Sequence, residues 1–228
     1  MKLYYAPASS YSQRVLIALY EKGANFTPIE VNLFDSIERE EYIQINPFAK
    51  IPTLITEKGK VLFEASIILE YLDQHLQKAP HLISLDPEQA LEVRMLERIV
   101  DVYINGGREA LFADSQRPVE ERGKKEVIKA HRLLETAIAL LDEKLAGRTW
   151  LGGEEFSLAD CVAAPTLAYL RMVYNYNHLS NLTDYVRRLE SRPSVAQVQR
   201  SGREQMTQML STLCYPLELV PLDKFAWS

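Results

Sequence analysis

The stretch Asn46-Pro47-Phe48-Ala49-Lys50-Ile51-Pro52-Thr53-Leu54-Ile55-Thr56-Glu57-Lys58-Gly59-Lys60-Val61-Leu62-Phe63-Glu64-Ala65-Ser66-Ile67-Ile68-Leu69-Glu70-Tyr71-Leu72 decides the fold. Two short runs of branched and aromatic residues, Thr53 to Thr56 and Val61 to Phe63, flank a polar connection containing Gly59, the pattern of an antiparallel hairpin. From Ile67 the apolar positions Ile67, Ile68, Tyr71, Leu72 and Leu76 follow the period of one helical face. Strand, turn, strand and helix follow in that order. Pro52, which lacks a backbone donor, suits the first residue of its strand. Only about 5 to 6% of X-Pro bonds are cis in folded proteins, so spacing alone does not ask for a cis bond. Glu64 opens the helix, where an acid complements the positive end of the dipole and free N–H groups can hold an anion.

Working back toward the N-terminus, Lys2 to Tyr5 reads as a strand broken at Ala6-Pro7. Val15, Leu16, Leu19 and Tyr20 mark a helix stopped by Lys22-Gly23, Thr27 to Val31 a second strand, and Ser36 to Ile45 a second helix. The order strand-helix-strand-helix-strand-strand-helix gives a small mixed sheet covered by helices. The loop Ala8-Ser9-Ser10-Tyr11-Ser12-Gln13 joins a strand end to a helix N-terminus, where functional side chains concentrate. Ser10 and Gln13 have capping-box spacing, which leaves Ser9 free.

The combination Asn46-Pro47, Lys50-Ile51-Pro52-Thr53-Leu54, then Phe63-Glu64-Ala65-Ser66-Ile67-Ile68 and Tyr71-Leu72 resembles the glutathione-binding half of the cytosolic glutathione transferase superfamily. The resemblance implies a thioredoxin-like domain in which Pro52 is cis and Ile51 pairs its backbone with the cysteinyl part of glutathione, a co-substrate. It also implies that Glu64, with the N–H groups of Ala65 and Ser66, holds the γ-glutamyl end, and that Lys50 reaches the glycyl carboxylate. Ala65 stands where the family usually has Ser. A hydrogen bond to a charged group contributes about 1.5 to 3 kcal/mol, so its loss weakens affinity by roughly one to two orders of magnitude unless Ser66 compensates.

The loop Ser9-Ser10-Tyr11-Ser12-Gln13-Arg14-Val15 is similar to the serine loops of the zeta and phi classes, which place the thiolate-stabilising hydroxyl on Ser9. A theta-like offset chooses Ser10, and a tyrosine-type enzyme would use Tyr5. The zeta match fails at Tyr11, where that class has Cys, which counts against maleylacetoacetate isomerisation. The loop contains no thiol for a glutaredoxin-like mechanism.

The 228 residues suffice for one large domain or two smaller ones, each with its own core. With 26 basic and 31 acidic residues the net charge is −5, unlike the basic surface of a nucleic-acid binder. No apolar run approaches the ~18 residues of a membrane span, and the N-terminus lacks the apolar core of a signal peptide. Cys161 and Cys214 form no C-x-x-C and read as reduced thiols in a cytoplasmic chain; His75, His81, His131 and His178 have no metal-ligand spacing, so no metal is expected.

The helical period breaks at Gln77-Lys78-Ala79-Pro80-His81, which sets a linker at 77–86 between a thioredoxin-like domain at 1–76 and an all-helical domain at 87–228. There, Leu91, Met95, Ile99, Val102 and Tyr103 mark a core face, and Gly106-Gly107 a bend or a close packing contact. A second long helix is predicted from about Pro118 to Leu145, stopped at Gly147, with Leu134, Ile138, Leu141 and Leu145 inward. Phe156-Ser157-Leu158-Ala159-Asp160 is a capping box and a folding signal, resembling the one the superfamily carries here, and Pro165 predicts a kink within the helix that follows. Helices at Leu182 to Leu189 and Val195 to Met209 part at Arg192-Pro193, and the tail from Cys214 holds Pro216, Pro221, Phe225 and Trp227. Tyr103, Arg108, Tyr169 and Tyr174 are candidate lining for an acceptor pocket.

The function expected is conjugation of the glutathione thiolate to a small hydrophobic electrophile by a homodimer, with no nucleic-acid or membrane partner. A glutathione-dependent dehalogenase or ether lyase would share the first half of that chemistry. The rival is a non-catalytic adaptor like the stringent starvation proteins that bind RNA polymerase, whose loop is similar to Tyr11-Ser12-Gln13-Arg14-Val15 followed by Glu21-Lys22-Gly23.

Overall fold

A computed structural model describes residues 1–76 and 80–225. Its first part is a sheet of four strands: β1 (Lys2–Tyr5), β2 (Thr27–Glu30), β3 (Thr53–Ile55) and β4 (Val61–Phe63), in the order β2-β1-β3-β4. β1 runs parallel to β2 and antiparallel to β3, and β3 and β4 form the hairpin. Pro28 sits on the edge strand β2, where its missing donor costs nothing in the ladder. Register aligns Leu3 with Leu54 and Leu54 with Leu62, so a row of buried leucines crosses the sheet. Helices α1 (Ser10–Glu21) and α3 (Ala65–His75) bury Val15, Leu19, Ile68 and Leu72 in the same core; α2 (Ser36–Ile43), capped by Asp35, is mostly exposed.

The rest is helical. α4 (Pro87–Ile99) runs through a widened π-helical turn (Val100–Asn105) into α5 (Gly106–Ser115); α6 (Lys125–Leu145), α7 (Leu158–Leu170), α8 (Ser180–Ser191), α9 (Pro193–Ser211) and the short α10 (Leu222–Phe225) follow. α1 packs against both α7 and α9, and one continuous apolar core runs from Leu3 to Val198 across both parts. Among the described residues no helix is long and apolar enough to cross a membrane. Residues 77–79 of the expected linker and Trp227 of the tail lie outside the described residues.

Two expectations for the helical part are corrected. The stripe Leu91, Met95, Val102 and Tyr103 is exposed, and the core takes Ala90, Val93, Leu96, Val100 and Ile104 instead. The helix predicted from Pro118 begins at Lys125, because Gly123 adopts φ +72° and gives its N–H to the Asp114 carboxylate (3.0 Å), breaking the run. Gly107 marks a close contact: a β-carbon there would stand 2.8 Å from Cβ of Leu134.

Asp160 is the hub of the helical part. Its fully buried carboxylate accepts from the Ser157 N–H (2.8 Å), the Ser157 hydroxyl (2.6 Å), the Leu151 N–H (2.9 Å) and the Tyr185 hydroxyl (2.6 Å). Burial pushes its pKa up against the pull of those four donors. The expected capping box is present, with Phe156 buried edge-on to Trp150 (5.2 Å).

Candidate functional site

The Ile51–Pro52 peptide is cis. The residues around it explain the Asn-Pro-x-x-Lys spacing: the Asn46 amide donates to the Lys50 carbonyl (2.7 Å) and to Thr53 Oγ1 (3.1 Å) and accepts from the Phe48 N–H (3.1 Å). Tyr42 adds its hydroxyl to the Lys50 carbonyl (2.9 Å). The chain is thereby fixed on one side and leaves Ile51 half-buried and Lys50 exposed. The Tyr42 hydroxyl also lies 2.6 Å from Thr53 Oγ1, a contact the sequence does not signal, since an aromatic at the end of α2 reads as ordinary core.

Glu64 stands before α3 with φ +72° and ψ 113°, left-handed backbone for a residue with a side chain. Such a conformation costs on the order of 1 to 3 kcal/mol and persists where the surroundings impose it, typically at functional sites. It leads directly into the first turn of α3, whose free N–H groups include those of Ala65 and Ser66. Ser66 does not stand in for the hydroxyl missing at Ala65, because it donates to Glu97 Oε1 (2.6 Å). Glu97 is buried, and burial raises its pKa against that bond. A cavity of about 380 Å³ lies here, lined by Glu64, Ala65, Ser66, Tyr11, Arg98 and Asp101 among others. Arg14, fully buried, donates to Asp101 (2.5 Å) and Thr166 (3.2 Å) and stacks 4.3 Å over the Tyr11 ring.

The serine loop corrects the capping expectation. The cap of α1 is Ser9, whose backbone is extended (φ −74°, ψ 119°) and whose Oγ accepts from the Ser12 N–H (3.2 Å). Ser10 is already the first helical residue and is buried. Gln13 cannot complete a box, because its amide donates to the Pro7 carbonyl (2.8 Å) and the Tyr169 hydroxyl (2.8 Å). Capping uses a lone pair of Ser9 and leaves its proton without an acceptor among the described residues. Ser9 faces a second cavity of about 570 Å³, whose wall also includes Ala6, Ala8, Val31, Leu33, Phe34, Ile51 and Met209. Tyr5 is not among the residues lining either cavity, and burial, with the Glu30 carboxylate, raises its pKa.

Of the four acceptor-pocket candidates, none lines these cavities. Tyr103 is exposed and Tyr174 packs against His131. Arg108 is buried on Asn105, and burial lowers its pKa; Tyr169 is buried against the loop backbone, its pKa raised strongly by desolvation. Among the described residues no three His, Cys, Asp or Glu side chains stand close enough together to hold a metal ion.

Residues 3–80 match a family model described as the glutathione S-transferase N-terminal domain, and residues 99–193 one described as the C-terminal domain. A stringent starvation protein A homolog of Coxiella burnetii is 32% identical over 168 residues, 73% of this chain and 74% of that protein. Glutathione S-transferase GstA of Escherichia coli O157:H7 is 26% identical over 198 residues, 86% of this chain and 95% of that protein. The solved glutathione S-transferase of Methylobacillus flagellatus with glutathione bound superimposes with a TM-score of 0.75 at 29% identity, over 86% of this chain and 98% of that one. A cis-proline loop beside a helix N-terminus on a four-stranded mixed sheet, followed by an all-helical part, defines a glutathione transferase fold. The chain belongs to the cytosolic glutathione transferase superfamily.

Proposed function

We propose that this protein is a serine-type glutathione transferase that joins the glutathione thiolate to small hydrophobic electrophiles. One observation carries the reading: the Ser9 hydroxyl, capping α1 through a lone pair and keeping its proton, shares one cavity with Ile51 and with apolar side chains from both parts of the chain. In this reading Ile51 aligns the cysteinyl backbone, Lys50 meets the glycyl carboxylate, and Glu64 with the N–H groups of Ala65 and Ser66 holds the γ-glutamyl end. Ser10, whose backbone starts α1, supports the loop without facing the sulfur.

A free thiol has a pKa near 8.5, and each unit of lowering corresponds to about 1.36 kcal/mol. A serine proton donated to the thiolate supplies about 1.5 to 3 kcal/mol, and the N-terminus of α1 about 0.3 to 1 more, enough to ionise the thiol near neutral pH. The apolar wall then places the electrophile against sulfur; a carbon–sulfur bond forms and the displaced electron pair leaves with the electrophile's leaving group or stays on the acceptor. The thioredoxin-like unit 1–76, a linker at 77–86 and the helical unit 87–228 divide this work. Exposed Phe48, Ile67, Leu91, Met95 and Val102 favour a second copy of the chain as their cover, and the protein works in the cytoplasm.

A specific observation favours the second reading, an adaptor without catalysis: Ser66 is committed to Glu97, so Ala65 has no replacement hydroxyl, and a stringent starvation protein homolog is among the relatives. Isothermal titration with glutathione separates the two. Binding in the micromolar to low millimolar range supports the transferase, and absence of binding supports the adaptor.

A further inference from the structure

Ala8, the residue before Ser9, has both of its backbone polar groups held by side chains of the helical part. Its N–H donates to Gln205 Oε1 on α9 (2.7 Å), and its carbonyl accepts from the Tyr169 hydroxyl on α7 (3.0 Å). One residue earlier, the Pro7 carbonyl accepts from Gln13 Nε2, which also donates to the same Tyr169 hydroxyl (both 2.8 Å). Gly202, one turn before Gln205, lies flush on this loop: a β-carbon there would come within 2.5 Å of the Pro7 oxygen. The loop therefore takes its position from α7 and α9, across a sequence separation of 197 residues for Ala8 to Gln205.

Gln205 has a second setting. With Gln208, Met209 and Thr212 it lines the cavity that Ser9 faces. Gln205, Gln208 and Met209 lie at i, i+3 and i+4 of α9, one face of a helix, and Thr212 is the residue that caps its end. The same face that meets an acceptor in that cavity thus also grips the residue next to the candidate catalytic hydroxyl.

The geometry points to Gln205 and Tyr169 as positioning residues for Ser9, with Gln205 linking the acceptor wall to the serine loop. This inference rests on the transferase reading and adds to it two residues that do not touch the sulfur. Small displacements of a catalytic group, on the order of 1 Å, can cost about a hundredfold in rate, so releasing one of two grips on Ala8 should be visible in turnover.

The test is an ultraviolet titration of the bound glutathione thiolate, with steady-state kinetics against a chromogenic aryl halide. It is run on wild type, Gln205→Leu, Tyr169→Phe, Gln205→Glu and Glu204→Ala. Gln205→Leu and Tyr169→Phe should each raise the apparent pKa of the bound thiol and lower kcat by about tenfold or more, with KM for glutathione little changed. Gln205→Glu keeps an acceptor for the Ala8 N–H but adds a carboxylate to the cavity wall, so it should restore the loop's seating, read as a melting temperature above that of Gln205→Leu, without restoring the thiol pKa. Glu204→Ala, an exposed change on the same helix, should match wild type. Unchanged thiol pKa and kcat in both folded variants, Gln205→Leu and Tyr169→Phe, would overturn the inference while leaving the transferase reading intact. A wild type that neither binds nor ionises glutathione would remove both together.

Discussion

Replacing Ser9 by Ala removes two things at once, and the structure separates them. The first is the cap: Ser9 Oγ accepts from the Ser12 N–H at 3.2 Å, and loss of such a cap costs about 1 kcal/mol. Against a typical stability of about 5 to 15 kcal/mol, the variant stays folded. The second is the hydroxyl proton. If it is donated to the thiolate it contributes about 1.5 to 3 kcal/mol, which is about one to two pKa units at 1.36 kcal/mol per unit. The bound thiol of Ser9→Ala should therefore titrate about one to two units higher, and turnover at neutral pH should fall about ten- to a hundredfold. Glutathione affinity, set elsewhere in the groove, should barely move. Ser9→Asp makes the contrast sharper, since an aspartate caps as well as serine but brings a negative charge toward the sulfur. It should keep the melting temperature and lose the activity. Measured by thiolate absorbance, steady-state kinetics and calorimetry, wild-type turnover in Ser9→Ala, or an equal loss in Ser10→Ala alone, would refute the reasoning.

Four further outcomes follow from other parts of the chain. Ala65→Ser restores the hydroxyl that Ser66 does not supply, and titration calorimetry should show glutathione binding about tenfold tighter; unchanged affinity would mean the γ-glutamyl end lies elsewhere. Glu97 has its pKa raised by burial, so its favourable contribution is complete below the unfolded value of about 4.3 and is lost as pH rises through the folded value. The melting temperature of Glu97→Gln relative to wild type should accordingly climb as pH rises above the unfolded carboxylate value, and a pH-independent difference would contradict the burial argument. Asp160→Ala strands four donors around a buried gap, and denaturant unfolding should show a loss of at least about 3 kcal/mol. Gly106→Ala meets open space and should gain up to about 1 kcal/mol, whereas Gly107→Ala collides with Leu134 and should lose about 1 to 3 kcal/mol; equal effects would refute the packing.

The parts of this molecule legible in its sequence are those decided by near neighbours. Asn46, Lys50 and Thr53 close the turn into Pro52 within a span of eight residues, and the hairpin and α3 follow at once, so the elements of that stretch could be read from it, while the cis bond came only with the family resemblance. The Asp160 box was legible for the same reason. The cap of α1 was not, because Ser9 and Ser10 are chemically alike and the choice is made by Tyr169, which takes the Gln13 amide from 156 residues away. Two apolar stripes run along α4 and the π turn, and hydrophobicity alone does not say which one faces the core. The part of the site wall supplied by α9 was invisible, since Gln205 and Gln208 carry no motif; only the fold brings them to Ser9.

The central claim is that glutathione lies along the segment from Lys50 to Ser66 with its sulfur turned toward the start of α1. A crystal structure of the protein soaked in glutathione tests it directly. The expected result is the sulfur within hydrogen-bond distance of Ser9 Oγ, with the cysteinyl backbone paired to Ile51. An empty groove, or one filled by the protein's own side chains, would contradict it.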